Sequence, residues 1–418
     1  MSPRWAMLLV IFFTRTSLGF QFQSIAALTP FLIAAFDLSY AQVGLLMGLF
    51  MLPGVVIAMP GGLLGQRYGS TRVVLAGLGL MVVGGIVVSY SLGFGLAALG
   101  RALSGVGGVL VNIMLARMVA EWFRGRELPT AMGVMLSAWP FGMALALAVL
   151  GPLAAAVSWR VAEYVTVAAA GLALALVALG YRDPPPHTLP SPQRGEGVPP
   201  LTLPSPPGGE GERALRLSLP RRVWALAISA GVAWALLNAS VIVVASFAPS
   251  FLMSRGASVG EAGFLTGVAL WISIVAVPVG GLVAQKVDRP RLLIIGGCLA
   301  TAVTIACIAR APMPALWLVA SGLLLGLPPS IMMSLLPRAV GTEHLAPALG
   351  VYYALFYLGM AVSQTAAGFL RDLTGDPGMP LLFASLLMVA TVPAVAVFWR
   401  IEAGPGPRVS AAFHVGPR

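Results

Sequence analysis

Charge is scarce in this sequence: 25 basic and 14 acidic residues stand among 418, 9% of the chain. A soluble domain carries about a quarter. With 58% of residues hydrophobic, there are too few polar groups to cover a folded surface, so most of that surface must face lipid. A soluble enzyme, a nucleic-acid-binding protein and a disordered scaffold are thereby excluded. Lysine is nearly absent, Lys286 standing alone against 24 arginines. The two cysteines, Cys298 and Cys307, lie nine residues apart in one apolar run and face opposite sides of a helix, which implies neither a disulfide nor a metal site. His187, His344 and His414 fall outside the apolar runs, and all 14 acidic residues fall in loops or near run ends. No carboxylate is therefore expected inside the membrane. No phosphate-binding glycine loop is seen, so neither ATP nor any cofactor is expected. The first apolar run continues past the length of a signal-peptide core and shows no cleavage site, so no cleavable signal is read.

Long apolar runs are what the sequence does have. Runs of the roughly 20 residues needed to cross a bilayer recur near 6–32, 41–64, 73–92, 94–118, 130–156, 161–180, 223–252, 261–284, 292–309, 315–337, 346–370 and 379–399. The expected fold is all-α, with twelve transmembrane helices. The net charge of +11 then sets orientation. With the N-terminus in the cytoplasm, 19 basic residues fall in inside loops and tails. Four fall outside: Arg160, Arg255, Arg310 and Arg371. That asymmetry is the positive-inside pattern, and it places both termini in the cytoplasm of a bacterial inner membrane.

Two repeats organise the chain. The stretch Thr188–Gly197 returns, with changes, as Thr202–Gly211, and half of residues 183–212 are Pro or Gly. Such a segment has no apolar face to bury and reads as a disordered cytoplasmic linker. The larger repeat has a period of 219 residues. It lays Gly61–Arg72 on Gly280–Arg291, Gly44 on Gly263 and Pro30 on Pro249. The chain therefore divides into a six-helix half (1–182), the linker (183–222), a second, pseudo-symmetric six-helix half (223–400) and a cytoplasmic tail (401–418). Parallel half-repeats of this kind build transporters with a substrate site at the midplane.

The loop after the second run reads Gly62-x-x-x-Gln66-Arg67-x-Gly69-x-x-Arg72, and its copy carries Gly281, Gln285, Lys286, Asp288 and Arg291. With Arg101, Gly105, Gly107 and Gly108 in the fourth run, and Gly142 with Gly151-Pro152 in the fifth, the chain resembles the major facilitator superfamily over nearly its whole length, linker excepted. The resemblance implies the major facilitator fold. It also implies that the two loops form a cytoplasmic gate, and that helices 1, 4, 7 and 10 line a cavity with helix 11 beside it. Gln66 stands where the family's loop usually has Asp, so no ion-pair latch is expected there.

Two charges fall well inside the runs, Arg15 and Arg101, each roughly 10–15 Å from the nearer helix end at about 1.5 Å per residue. A charge at that depth is costly and marks a functional candidate. Helical spacing puts Arg15 and Gln23 on one face of helix 1, Arg101 and Asn112 on one face of helix 4, Trp234 and Asn238 on one face of helix 7, and Tyr353, Tyr357 and Gln364 on a stripe of helix 11. These residues are the expected substrate-binding set. Each also has a plainer reading: the tyrosines as packing, the asparagines as bonds between helices, and Arg101 as a lock on backbone carbonyls.

Two arginines and no buried carboxylate make a positive cavity, which suits a small organic or inorganic anion gripped by guanidinium forks. The expected function is secondary transport of such an anion by alternating access, as a monomer without nucleic-acid partners; the resemblance to the superfamily's cyanate, nitrate and organic-anion porters agrees. The alternatives are a proton-driven drug or metabolite exporter and a non-transporting receptor or assembly factor on the same fold.

Overall fold

A computed structural model of the chain describes residues 3–123, 127–183, 219–287 and 289–404. The described residues are helical, without strands, and twelve stretches are long and apolar enough to cross a membrane. All twelve coincide with the apolar runs read from the sequence. In a bilayer a single chain segment can satisfy its own backbone hydrogen bonds only as a helix, and large side chains such as Leu172, Val275, Val303 and Leu386 are exposed on the outer faces, where lipid would meet them. The edges differ slightly from expectation. The seventh span starts at Arg221 and the twelfth ends at Ala403. Most of the linker (184–218) and of the tail (405–418) lies outside the described residues.

Span 1 comprises α1 (Pro3–Phe22) and α2 (Ser24–Phe36), and span 2 comprises α3 (Tyr40–Leu49) and α4 (Gly54–Tyr68). Spans 3 to 6 are α5 (Ser70–Ser89), α6 (Phe94–Trp122), α7 (Leu128–Ala156) and α8 (Trp159–Gly180). Spans 7 to 9 are α9 (Arg221–Ser254), α10 (Val259–Lys286) and α11 (Pro290–Arg310). Span 10 is broken into α12 (Pro314–Leu324), α13 (Leu327–Met332) and α14 (Leu335–Ala339). Spans 11 and 12 are α15 (Thr342–Thr374) and α16 (Met379–Ala403). His344, expected outside a helix, sits in the first turn of α15.

The breaks have local causes. Pro53 has no N–H to continue span 2, and the adjacent Pro328 and Pro329 interrupt span 10. The break at Gln23 has no proline beside it; a side chain from α6 takes up the carbonyls there instead, as described below.

Twelve crossings return the chain to the end of the bundle where it began. At the opposite, distal end the first six and last six spans are tightly joined. α3 runs against α15 so closely that a methyl group at Gly44 would strike the Gln364 carbonyl, and α7 runs against α10, where one at Gly263 would strike the Leu147 carbonyl. The Asp372 carboxylate accepts the N–H groups of Tyr40 (2.9 Å) and Ala41 (2.7 Å), capping α3 from the other half. An anion is favoured at a helix N-terminus. Beside it Arg371, only 7% exposed, donates to the Tyr40 hydroxyl (2.9 Å) and to Ser250 Oγ (2.6 Å), with its guanidinium 3.6 Å from the Tyr40 ring centre.

Candidate functional site

A cavity of about 420 Å³ lies between the two sets of six spans. Spans 1, 4, 7, 10 and 11 line it as expected, and spans 2 and 5 join them through Phe50, Met135 and Trp139. Arg15 enters it from α1. Its Nη1 reaches only the Met135 sulfur, at 4.0 Å, and its Nε has no hydrogen-bond partner among the described residues. A guanidinium carries five N–H donors in a planar fork, a geometry that matches carboxylates and other oxyanions.

Around Arg15 the polar groups are few and partly committed. Asn112 Nδ2 donates to the Tyr357 hydroxyl (3.1 Å), joining α6 to α15, and Asn112 Oδ1 is left without a partner. Asn238 Nδ2 is held by the Trp234 carbonyl one turn back in α9 (2.9 Å). Tyr353 also lines the cavity. The remainder is aromatic and apolar. Trp234 stacks on Tyr352 (6.2 Å, 21° between planes), and Tyr353, Phe356 and Tyr357 continue edge to face along α15. Across the cavity Phe22 joins Trp139 (5.1 Å) and Phe50 (5.5 Å).

Three expected site residues lie outside this lining. Arg101, fully buried, donates Nη1 to the Gln21 carbonyl (2.9 Å), Nη2 to the Phe22 carbonyl (2.9 Å) and Nε to the Leu46 carbonyl (3.2 Å), and stacks 4.6 Å from the centre of the Phe50 ring. Those carbonyls belong to the last turns before the breaks at Gln23 and Phe50. Arg101 therefore clamps two interrupted helices, which is the plainer reading of that residue. Gln23 Nε2 donates to the Ala245 carbonyl (2.9 Å) and closes the distal side between the halves. Gln364 is fully buried at the α3–α15 seam, with both amide atoms unpartnered among the described residues.

The expectation of no buried carboxylate is corrected. Glu163 is only 1% exposed. It lies a turn inside α8, bonded through Oε1 to Thr166 Oγ1 (3.4 Å) and within electrostatic reach of Arg101. Arg371 is a second correction, since helix α15 runs past it to Thr374 and buries it. Arg15 and Arg101 are thus not the only buried charges. On the two loops expected to form a gate, Arg67, Gly69, Arg72, Lys286 and Arg291 are exposed, and Gly281 half-exposed. Asp288 and the side chains of Gln66 and Gln285 lie outside the described residues, as does the surface around Gly62.

Comparisons with known proteins agree with this architecture. The sequence model of the Major Facilitator Superfamily matches residues 7–256 and 236–415. Among curated proteins, the chain is 29% identical over 154 residues to a hexuronate transporter of Bacillus subtilis, covering 37% of this chain and 36% of that protein. It is 29% identical over 134 residues to the inner membrane transport protein YajR of Escherichia coli, covering 32% and 29% of the two chains. The matched segments thus span about a third of each relative. The inward-open xylose transporter XylE from E. coli superposes with a TM-score of 0.75 at 15% identity, covering 98% of both chains. A crystal structure of a D-xylose–proton symporter gives 0.72 at 16%, covering 94% and 97%. The chain is a multi-pass membrane protein and belongs to the Major Facilitator Superfamily.

Proposed function

We propose that this protein is a secondary transporter that carries a small anion across the bacterial cytoplasmic membrane by alternating access, as a monomer with both termini in the cytoplasm. The observation that carries the reading is Arg15, a cationic side chain facing the central cavity with no anionic partner among the described residues. The uneven basic residues support the orientation. In that orientation the joined distal end is the outer end, and the cavity belongs to a state that opens inward. The Bacillus relative, named for a carboxylate sugar, supports an anionic cargo.

A second reading, proton-driven efflux, is favoured by Glu163, a buried carboxylate next to a clamp between helices. Uptake by reconstituted vesicles, with and without an imposed pH gradient, separates the two. Anion uptake that follows an anion gradient and is lost in Arg15→Ala supports the first. Extrusion of neutral or cationic compounds that requires the pH gradient, unaffected by Arg15→Ala and lost in Glu163→Gln, supports the second.

A further inference from the structure

We infer that the cavity selects an amphipathic monocarboxylate: one carboxylate on Arg15, with an apolar, flat body held between two aromatic walls. This rests on the anion reading above and narrows it. The charge count comes first. Among the described residues lining the cavity Arg15 is the one cation, and none is acidic. A second carboxylate on the same cargo would be desolvated with no cation to meet it, so di- and tricarboxylates are disfavoured. An ammonium group would meet no carboxylate either.

Hydrogen-bonding capacity comes next. The amide nitrogens of Asn112 and Asn238 each spend one of their two N–H groups, on the Tyr357 hydroxyl and the Trp234 carbonyl. What remains for cargo is one N–H and one oxygen on each amide, and the phenols of Tyr353 and Tyr357. A sugar acid brings a hydroxyl on nearly every carbon, each both donor and acceptor, which is more than these few groups can satisfy. The Tyr353 and Tyr357 hydroxyls can add donors to a carboxylate seated on Arg15, while Asn112 Oδ1, unpartnered, would accept one donor from the cargo.

The walls give the third argument. Phe50 and Trp139 stand on the side of the first six spans, and Trp234, Tyr353 and Phe356 on the other. Met51, Met135, Met333 and Met360 fill the gaps between them with soft, adaptable thioethers. About 420 Å³ is within the roughly 300–1,000 Å³ of small-molecule sites and far exceeds what a bare inorganic anion fills. Aromatic and thioether surface recognises an apolar body through its area and its π-face.

Isothermal titration of the full-length purified protein tests this with five probes: benzoate, terephthalate (the same ring with a second carboxylate), benzamide (the neutral counterpart), glucuronate and nitrate. Benzoate should bind at least tenfold more tightly than the other four. Arg15→Ala should weaken it more than tenfold, with Arg15→Lys in between. Trp234→Leu, which leaves Arg15 in place, should weaken benzoate but not nitrate. Glucuronate, terephthalate or nitrate binding as tightly as benzoate, and lost in Arg15→Ala, would overturn the monocarboxylate inference while leaving the anion reading standing. Benzamide matching benzoate, with neither changed by Arg15→Ala, would overturn both readings, as would no binding of any of the five by protein that elutes as a folded monomer.

Discussion

The guanidinium of Arg15 lies 4.0 Å from the sulfur of Met135 and meets no oxygen among the described residues. Arg101, just as deep, is held through all three of its nitrogens by backbone carbonyls. The two arginines have one chemistry and opposite surroundings, and their variants should behave oppositely.

Arg101→Ala should lower the melting temperature of the purified protein sharply. It strands three buried carbonyls at two helix breaks, each stranded group costing about 1–3 kcal/mol. Arg15→Ala should leave melting without ligand unchanged or slightly raised, because it removes a buried charge that has no partner. Thermal unfolding of both variants in the same detergent checks this. The reverse order would show that Arg15 holds the structure and Arg101 does not.

Gln364 carries a complementary expectation. Its amide is buried at the α3–α15 seam without partners, so distal closure is held below its possible stability. Gln364→Leu removes the stranded groups and should favour the distally closed state by about 1–3 kcal/mol. Spin labels at the exposed Leu92 and Met313, after removal of Cys298 and Cys307, should lose most of any long-distance population. A distribution that broadens or lengthens would contradict this.

Asp372 acts on the same end from the other direction. Asp372→Ala removes an anionic cap on α3, worth about 0.5–2 kcal/mol, and one of the few hydrogen-bonded links across the halves. A cysteine at Ser254, in the distal pocket that Tyr40 and Arg371 also line, should then react several-fold faster with a membrane-impermeant maleimide. An unchanged rate would mean that the glycine-mediated packing and the Arg371–Tyr40 and Gln23–Ala245 bonds hold the end shut without this cap.

Asp376 gives a pH dependence outside the membrane. The Gly378 N–H (2.8 Å) and Arg310 (2.7 Å) hold its carboxyl below the usual aspartate range. A depressed native pKa contributes stability above the unfolded value, near 3.9, and that contribution fades as pH falls through the native one. Asp376→Asn should therefore melt slightly below wild type at pH 6–7, with the gap closing towards pH 3. The exposed pair makes the effect small. A gap that widens on acidification would assign the bond a different role.

The twelve spans and the depth of Arg15 were legible in the sequence because length, apolarity and an intramembrane charge are local signals. Pairing was not legible. The breaks that let Arg101 reach Gln21, Phe22 and Leu46 depend on where α1 and α3 stop, and only Pro53 marks either stop in the sequence. Glu163 was missed because it sits near a helix start, where an acidic residue ordinarily meets water; burial against other spans decides otherwise. Arg371 was read as an outer-loop charge because α15 runs one turn further than its apolar run. Phe50, Met135 and Trp139 carry no signal that separates cavity wall from packing, since both want large apolar side chains.

The central claim is that Arg15, and not Arg101, meets the cargo. Ligand-dependent melting tests it most directly, because a compound that binds the folded state raises stability in proportion to the logarithm of its concentration over Kd. Across a panel of carboxylates, oxyanions and lipophilic cations, an anion should stabilise wild type and Arg101→Lys, the latter from a lower starting temperature, and give no shift in Arg15→Ala. A cation that stabilises wild type and Arg15→Ala equally, with no anion acting on either, would contradict the account.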